Sequence, residues 1–251
     1  MRMKKRLTLF LILFAVILCT AGCQRVMIQK TSKESTVTAA KIPAKEVPAA
    51  SEPSAGDPGS ISYIQCQKDG NVDDALIDIV NQQLSLLPAN LHNAFVQDSW
   101  SIYVTDMNIG ETYYKGQFSQ VMATTNYEEQ RILIEARRSA AYESPLHEIG
   151  HWFDYYVGLP SYSEAFAAVY AAEGGVFIRS YGSSCVRDAL EFFAEGFWQY
   201  IIDPDRLKSV CPELYHFIHD QYCQLCARIA AFQLPEDQRV FKKSSMIMGL
   251  T

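Results

Sequence analysis

Histidine is scarce in this 251-residue chain, with five in all. The longest apolar run, Leu7 to Leu18, is short for a membrane span. Positive charge is in deficit, 22 Lys and Arg against 28 Asp and Glu, for a formal net charge of −6. That balance argues against nucleic acid or an anionic lipid surface as a partner, because both are bound chiefly through cationic side chains. No internal repeat is present, which excludes solenoid and propeller architectures. What the chain has in quantity is apolar surface, 49% of residues, enough for one sizeable folded domain with accessories.

The ends read differently from the middle. Arg2, Lys4, Lys5 and Arg6 precede the apolar run, which is the pattern of a secretory signal. The run closes in "LCTAGC", whose small residues before Cys23 resemble a bacterial lipobox, so Cys23 is expected to carry lipid as the first residue after cleavage. Thr20 stands where a lipobox usually has leucine, which leaves ordinary cleavage or a retained anchor as alternatives. Residues 23–60, rich in Thr, Ser, Ala, Lys and Pro, read as a disordered tether. A flexible chain of that length holds a domain roughly 35 Å from its anchor. The expected location is extracellular, on the outer face of a bacterial cell membrane, with the membrane met only through that anchor. The map is then 1–22 signal peptide, 23–60 tether, 61–240 folded domain and 241–251 tail. Beyond Cys19 and Cys23 lie Cys66, Cys185, Cys211, Cys223 and Cys226, an odd number that allows one or two disulfides in an oxidising compartment.

Within the domain, "VDDALIDIVNQQLSLLP" has apolar residues at helical spacing and stops at Pro88, and a second short helix is expected at "NLHNAFVQDSW". Three short segments rich in β-branched and aromatic residues, "SIYVTDM", "SQVMATTNY" and "RILIEARR", predict strands of a small sheet. Helices follow at Pro145 to Tyr156, Ser163 to Glu173 with Gly174-Gly175 as the stop, Arg187 to Ile202, and Pro212 to about Phe232. The order helix, small mixed sheet, then helices makes the fold class α+β in a single domain.

The chemistry is concentrated in "SPLHEIGHWFDYY". Ser144 is a suitable N-cap and Pro145 fits the first turn, so a helix should carry His147 and His151 one turn apart, about 6 Å along its axis. Both imidazoles can reach one zinc ion, and Glu148 is placed to take a proton from a water that the metal acidifies, the H-E-x-x-H arrangement. Asp154 and Val157 occupy the positions where a metzincin has Gly and its third His, which excludes that class. A third ligand is sought in "RDALEFFAEGFWQY", where Glu191 and Glu195 share one face among Phe192, Phe193, Phe197 and Trp198. One glutamate would bind the metal while the other accepts the free ring N–H of a ligand histidine. Glu164 and Glu173 are rival ligands on the preceding helix.

From roughly Ile102 to Tyr222 the sequence resembles the catalytic domain of anthrax toxin lethal factor and the secreted Pro-Pro endopeptidases of Gram-positive bacteria. The elements that carry this are "HEIGHWFDYYVG", "SYSEAF", "SYG" and "EFFAEGF". The resemblance implies a gluzincin-like, mostly helical zinc-binding subdomain after the sheet, and a zinc metalloendopeptidase acting on a peptide or protein substrate. It maps the third ligand of a single Zn2+ onto Glu191 and the outer glutamate onto Glu195. It also implies a tyrosine that supports the oxyanion or leaving group, for which Tyr181 shares the Tyr-Gly pair, with Tyr170, Tyr162 and Tyr156 as alternatives. Relatives lay substrate along the edge strand of the sheet, for which the candidate is "QVMATTNY". A non-catalytic surface lipoprotein that binds peptide or adheres, with a retained metal site, is the alternative reading.

A second cluster invites misreading. His216, His219, Cys223 and Cys226 follow one another at steps of three, four and three, which defines a stripe along one helix. Four ligands cannot close around one ion from a single straight helix, so a packed face or a disulfide to another element is expected.

Overall fold

A computed structural model describes residues 62–118, 121–183 and 185–232; the signal segment, Cys23, the tether and the C-terminal tail lie outside these. The architecture is α+β, with a four-stranded mixed sheet on one side of a helical body. Among the described residues no helix is long and apolar enough to cross a membrane.

The sheet runs in the order β1 (Cys66–Asp69), β2 (Ser101–Thr105), β4 (Arg131–Glu135), β3 (Ala123–Asn126). β1, β2 and β4 are parallel, and β3 pairs antiparallel with β4 through the turn between them. Register opposes Ile102 to Ile132 and Val104 to Ile134, and all four side chains are buried in the main core. On the other face Leu133 meets Ile109 and Val121, so a short helix α3 (Ile109–Tyr114) closes that side with its own apolar cluster. Of the three expected strands each has an observed counterpart, β2, β3 and β4. The chain also forms β1 before its first helix, because "CQKD" gains its ladder from β2 rather than from any apolar pattern of its own.

Helix α1 (Asp74–Leu84) is capped by Asp73, whose carboxylate accepts the Ala75 N–H, and buries Ile79, Val80 and Leu84. It is followed by α2 (Ala89–Gln97). After β4, α4 (Arg138–Glu143) runs almost directly into α5 (Pro145–Tyr156). Ser144 therefore arrives in helical conformation and its side chain makes no capping bond, contrary to the N-cap expectation, while Pro145 takes the first turn as expected. α5 is the central helix: every residue from Pro145 to Asp154 is buried. Its exit is held by Asp154, fully buried, which accepts the Ser161 backbone N–H at 3.0 Å and hydroxyl at 2.6 Å and so fixes the reversal toward α6 (Glu164–Tyr181).

Two glycines expected to stop α6 do not. The helix passes through Gly174 and Gly175 and ends at Gly182, which adopts the left-handed conformation (φ 68°) that its lack of a side chain permits. Glycine in a helix costs about 1 kcal/mol relative to alanine. Burial of Phe177 beyond the pair, against Phe192 at 5.5 Å between ring centroids, outweighs that cost. The remaining helices are α7 (Ala189–Ile202), α8 (Pro204–Val210) and α9 (Pro212–Phe232).

α5 and α7 approach each other closely at Gly150. A β-carbon there would lie 2.9 Å from both the Cα and the carbonyl oxygen of Ala194, which is backbone and cannot swing aside. Phe153 then packs on Phe197 and Phe193, at 5.0 and 6.2 Å between centroids. Replacing Gly150 with Ala should therefore force the helices apart, costing roughly 1–3 kcal/mol by overpacking. At about 2–4 °C per kcal/mol for a domain of this size, thermal unfolding should register a drop of several degrees, and an unchanged midpoint would refute the close packing.

Candidate metal centre

The α5–α7 contact brings three ligand types to one point. His147 and His151 stand on successive turns of α5, their rings edge to face at 4.9 Å. Glu191 lies in the first turn of α7, where Asp188 caps the helix by accepting the Glu191 N–H at 2.9 Å. Glu191 Oε2 is 3.4 Å from His147 Nε2 and 3.9 Å from His151 Nε2. All three side chains are buried, and their ligand atoms lie within 4.8 Å of one another. Bonds of about 2.1 Å to a tetrahedral ion separate ligand atoms by about 3.4 Å, so these residues fit one divalent cation with little movement. Among the described residues neither ring nitrogen of His151 has a hydrogen-bond partner. A buried polar atom so placed costs about 1–3 kcal/mol, which coordination would offset.

The electrostatics agree. Burial by itself would push the His147 pKa down, but hydrogen bonding to Glu191 and Glu195 prevails and raises it to about 10. His151 is lowered to about 3, first by burial and then by the charge on His147. A proton on His147 would supply the positive charge that two buried carboxylates require, and a bound cation would take its place.

Glu195, one turn beyond Glu191, puts Oε1 at 2.8 Å from His147 Nδ1, within hydrogen-bond distance. It also accepts the Ser183 hydroxyl at Oε2 (2.8 Å) and the Cys185 thiol at Oε1 (3.1 Å). Burial and then the Glu195 charge hold the Cys185 pKa far above its ordinary value, so the thiol keeps its proton and remains a donor. On the opposite side Arg187 Nη2 donates to Glu191 Oε1 at 3.2 Å, away from the imidazoles. Glu148 is buried and accepts the Thr125 hydroxyl at Oε2, 2.7 Å. Thr125 belongs to β3, and among the described residues β3 is an outer strand of the sheet, the place foreseen for an extended ligand. A cleft of about 190 Å³ runs beside it, lined by Tyr113, Tyr114, Tyr127 and the strand itself.

The rival ligands have other employment. Glu173 accepts the backbone N–H groups of Glu213 and Leu214 at 3.1 and 2.9 Å, so it caps α9 from the side, and Glu164 is exposed in the first turn of α6. Tyr181 closes α6 against Phe177 at 4.5 Å and beneath the Arg206 guanidinium at 4.7 Å, and among the described residues its hydroxyl has no hydrogen-bond partner. None of these contacts reaches the His147–His151–Glu191 group. Tyr170 packs on Phe192 of α7 at 5.3 Å, Tyr156 stacks on Trp152 at 5.1 Å, and the Tyr162 side chain is exposed.

The histidine–cysteine stripe on α9 is packed only in part, with His216 and Cys223 exposed and His219 and Cys226 half-buried. His219 Nδ1 meets the Tyr200 hydroxyl at 2.9 Å, His216 packs on Tyr215, and the Cys226 sulfur accepts from Asn90. Cys66, Cys185, Cys211, Cys223 and Cys226 are all free thiols, so the disulfides allowed by their number do not form among the described residues. Sequence reasoning missed Thr125, Ser183, Cys185 and Arg187. Only Arg187 carried a local signal, its four-residue spacing from Glu191 on what becomes a helix start.

Residues 60–221 match the family profile of anthrax toxin lethal factor, N- and C-terminal domain. Among solved structures, a Pro-Pro endopeptidase (PPEP-2) from Paenibacillus alvei aligns at 18% identity and a TM-score of 0.49, covering 64% of this chain and 97% of that one. No curated protein matches the chain.

Because zinc requires a neutral imidazole, loading the cage at neutral pH must expel the His147 proton. Zinc affinity should rise about tenfold per pH unit between about pH 6 and 8, with His151 contributing nothing. Competition titrations against a chelator would measure it, and a flat profile would contradict the protonated cage.

Proposed function

The chain belongs to the anthrax toxin lethal factor, N- and C-terminal domain family, and on that premise we propose that it is a zinc metalloendopeptidase with a single metal ion. The observation that carries this is the convergence of His147, His151 and Glu191 beside a buried Glu148 that β3 holds in place. Bound there, zinc supplies Lewis acidity, acidifying water and polarising a peptide carbonyl. Glu148 takes the proton of the attacking water and returns it to the leaving amine, while the Thr125 hydroxyl keeps its carboxylate from rotating. Glu195 holds the His147 Nδ1–H, so that Nε2 faces the ligand cage. A peptide substrate extends along β3, where main-chain hydrogen bonds align its scissile carbonyl with Glu148.

A metal-holding binder has no use for a base at residue 148, which is why catalysis is favoured over a non-catalytic peptide-binding or adhesive lipoprotein. The decisive comparison sets the purified protein against its Glu148→Gln variant, for zinc content and for cleavage of a diverse peptide library that includes proline-rich sequences. Zinc should stay at one per chain, while turnover falls by about 10²–10⁴, the usual contribution of a general base. Equal cleavage by both proteins would overturn the mechanism; zinc-loaded protein that cleaves nothing would favour the binding role.

We further propose export and lipid anchoring through Cys23, supported by the basic start, the apolar run and the small residues that precede it. Cys23→Ala should move the protein from the membrane fraction to the medium. Persistence in the membrane fraction would indicate a retained apolar anchor instead.

A further inference from the structure

We propose that Ser183 and Cys185, in the connection between α6 and α7, are positioning residues that set zinc affinity by clamping Glu195 against His147. This rests on the reading of His147 as a metal ligand. The left-handed Gly182 ends α6 and turns the chain back, so that residues 183 and 185 come to lie over the second turn of α7. Glu195 is buried on a helix whose neighbouring residues Phe192, Phe193 and Phe197 are apolar and offer a carboxylate no side-chain donor. Ser183 takes Oε2 at 2.8 Å and Cys185 takes Oε1 at 3.1 Å, the oxygen that also faces His147 Nδ1 at 2.8 Å. Hydroxyl and thiol lie 3.3 Å apart, both buried, so the pair forms one wall.

The chemistry of the donors matters as much as their positions. Both are neutral, so they orient the carboxylate without cancelling its charge. That charge stays available to His147, raising the basicity of the ring nitrogen that faces Glu191 and His151. A cationic partner in the same place would drain it. Arg187, the nearby cation, donates to Glu191. Ser183 and Cys185 thus fix the tautomer and the direction of His147 at one remove.

The test uses zinc itself, titrated into metal-free protein in competition with a chromophoric chelator, with cobalt spectra as a second reading of ligand geometry. Ser183→Ala and Cys185→Ala should each weaken zinc binding by about 3–10-fold, and the double variant by about 10–100-fold, the range seen when outer partners of a ligand histidine are removed. Cys185→Ser restores a donor to the same oxygen and should bind within about twofold of the unaltered protein, with its cobalt spectrum. Packing alone predicts otherwise: lower thermal stability, unaltered zinc affinity, and no distinction between Ala and Ser at 185. If Cys185→Ala does not fold, Ser183→Ala probes the other oxygen of the same carboxylate. Unchanged affinity in the alanine variants overturns the proposal, as does an unaltered protein that binds no zinc. A protein that binds zinc with these differences yet cleaves no peptide upholds it while the peptidase reading falls.

Discussion

The site depends on one contact, the approach of α5 to α7 at Gly150 and Ala194. With backbone atoms that close, no side chain separates the two helices, and the first turn of α7 lies over the histidine-bearing face of α5. Glu191 and Glu195, one turn apart, then meet opposite edges of the same imidazole: Oε2 of the first is 3.4 Å from His147 Nε2 and Oε1 of the second is 2.8 Å from Nδ1. The flanking aromatics, Phe153 against Phe193 and Phe197, are buried and fasten the two helices together.

Burying two imidazoles and three carboxylates in so small a volume is unfavourable unless each is satisfied, and the surrounding elements divide that task. The α6–α7 connection serves Glu195 through Ser183 and Cys185, while Arg187 serves the outer oxygen of Glu191. The sheet serves Glu148 through Thr125. Among the described residues both ring nitrogens of His151 lack a hydrogen-bond partner, and it is one of the two histidines that the ion would engage. An ion would supply a partner to one of those nitrogens, while His147 is oriented by Glu195 on its far side.

The sheet contributes by location more than by size. β3 is short, yet it is at once an outer strand and the carrier of the hydroxyl that holds Glu148. An extended peptide added to that edge would therefore lie beside the strand that holds the base. Much of this was legible before the structure. The H-E-x-x-H spacing and the paired glutamates are relations within single helices, where 3.6 residues per turn makes sequence distance a measure of spatial distance. Three of the four strands followed from their β-branched runs. β1 did not, because its pairing comes from a neighbour, and the end of α6 did not, because burial of Phe177 outweighed two glycines.

The sequence by itself determined the chemistry offered: two imidazoles on one helical face, a carboxylate beside the first, and a carboxylate pair on another helix. Tertiary structure alone decided which carboxylate does what. Glu173, equally acidic and equally helical, is consumed in capping α9, whereas Glu191 is turned to the histidines. Likewise Thr125, Ser183 and Cys185 are unremarked in the chain and become partners of the site only where strands and connections cross it. The reason is range. Helical periodicity is set by local backbone sterics and can be counted along the chain, while convergence between elements is set by packing that no local pattern encodes.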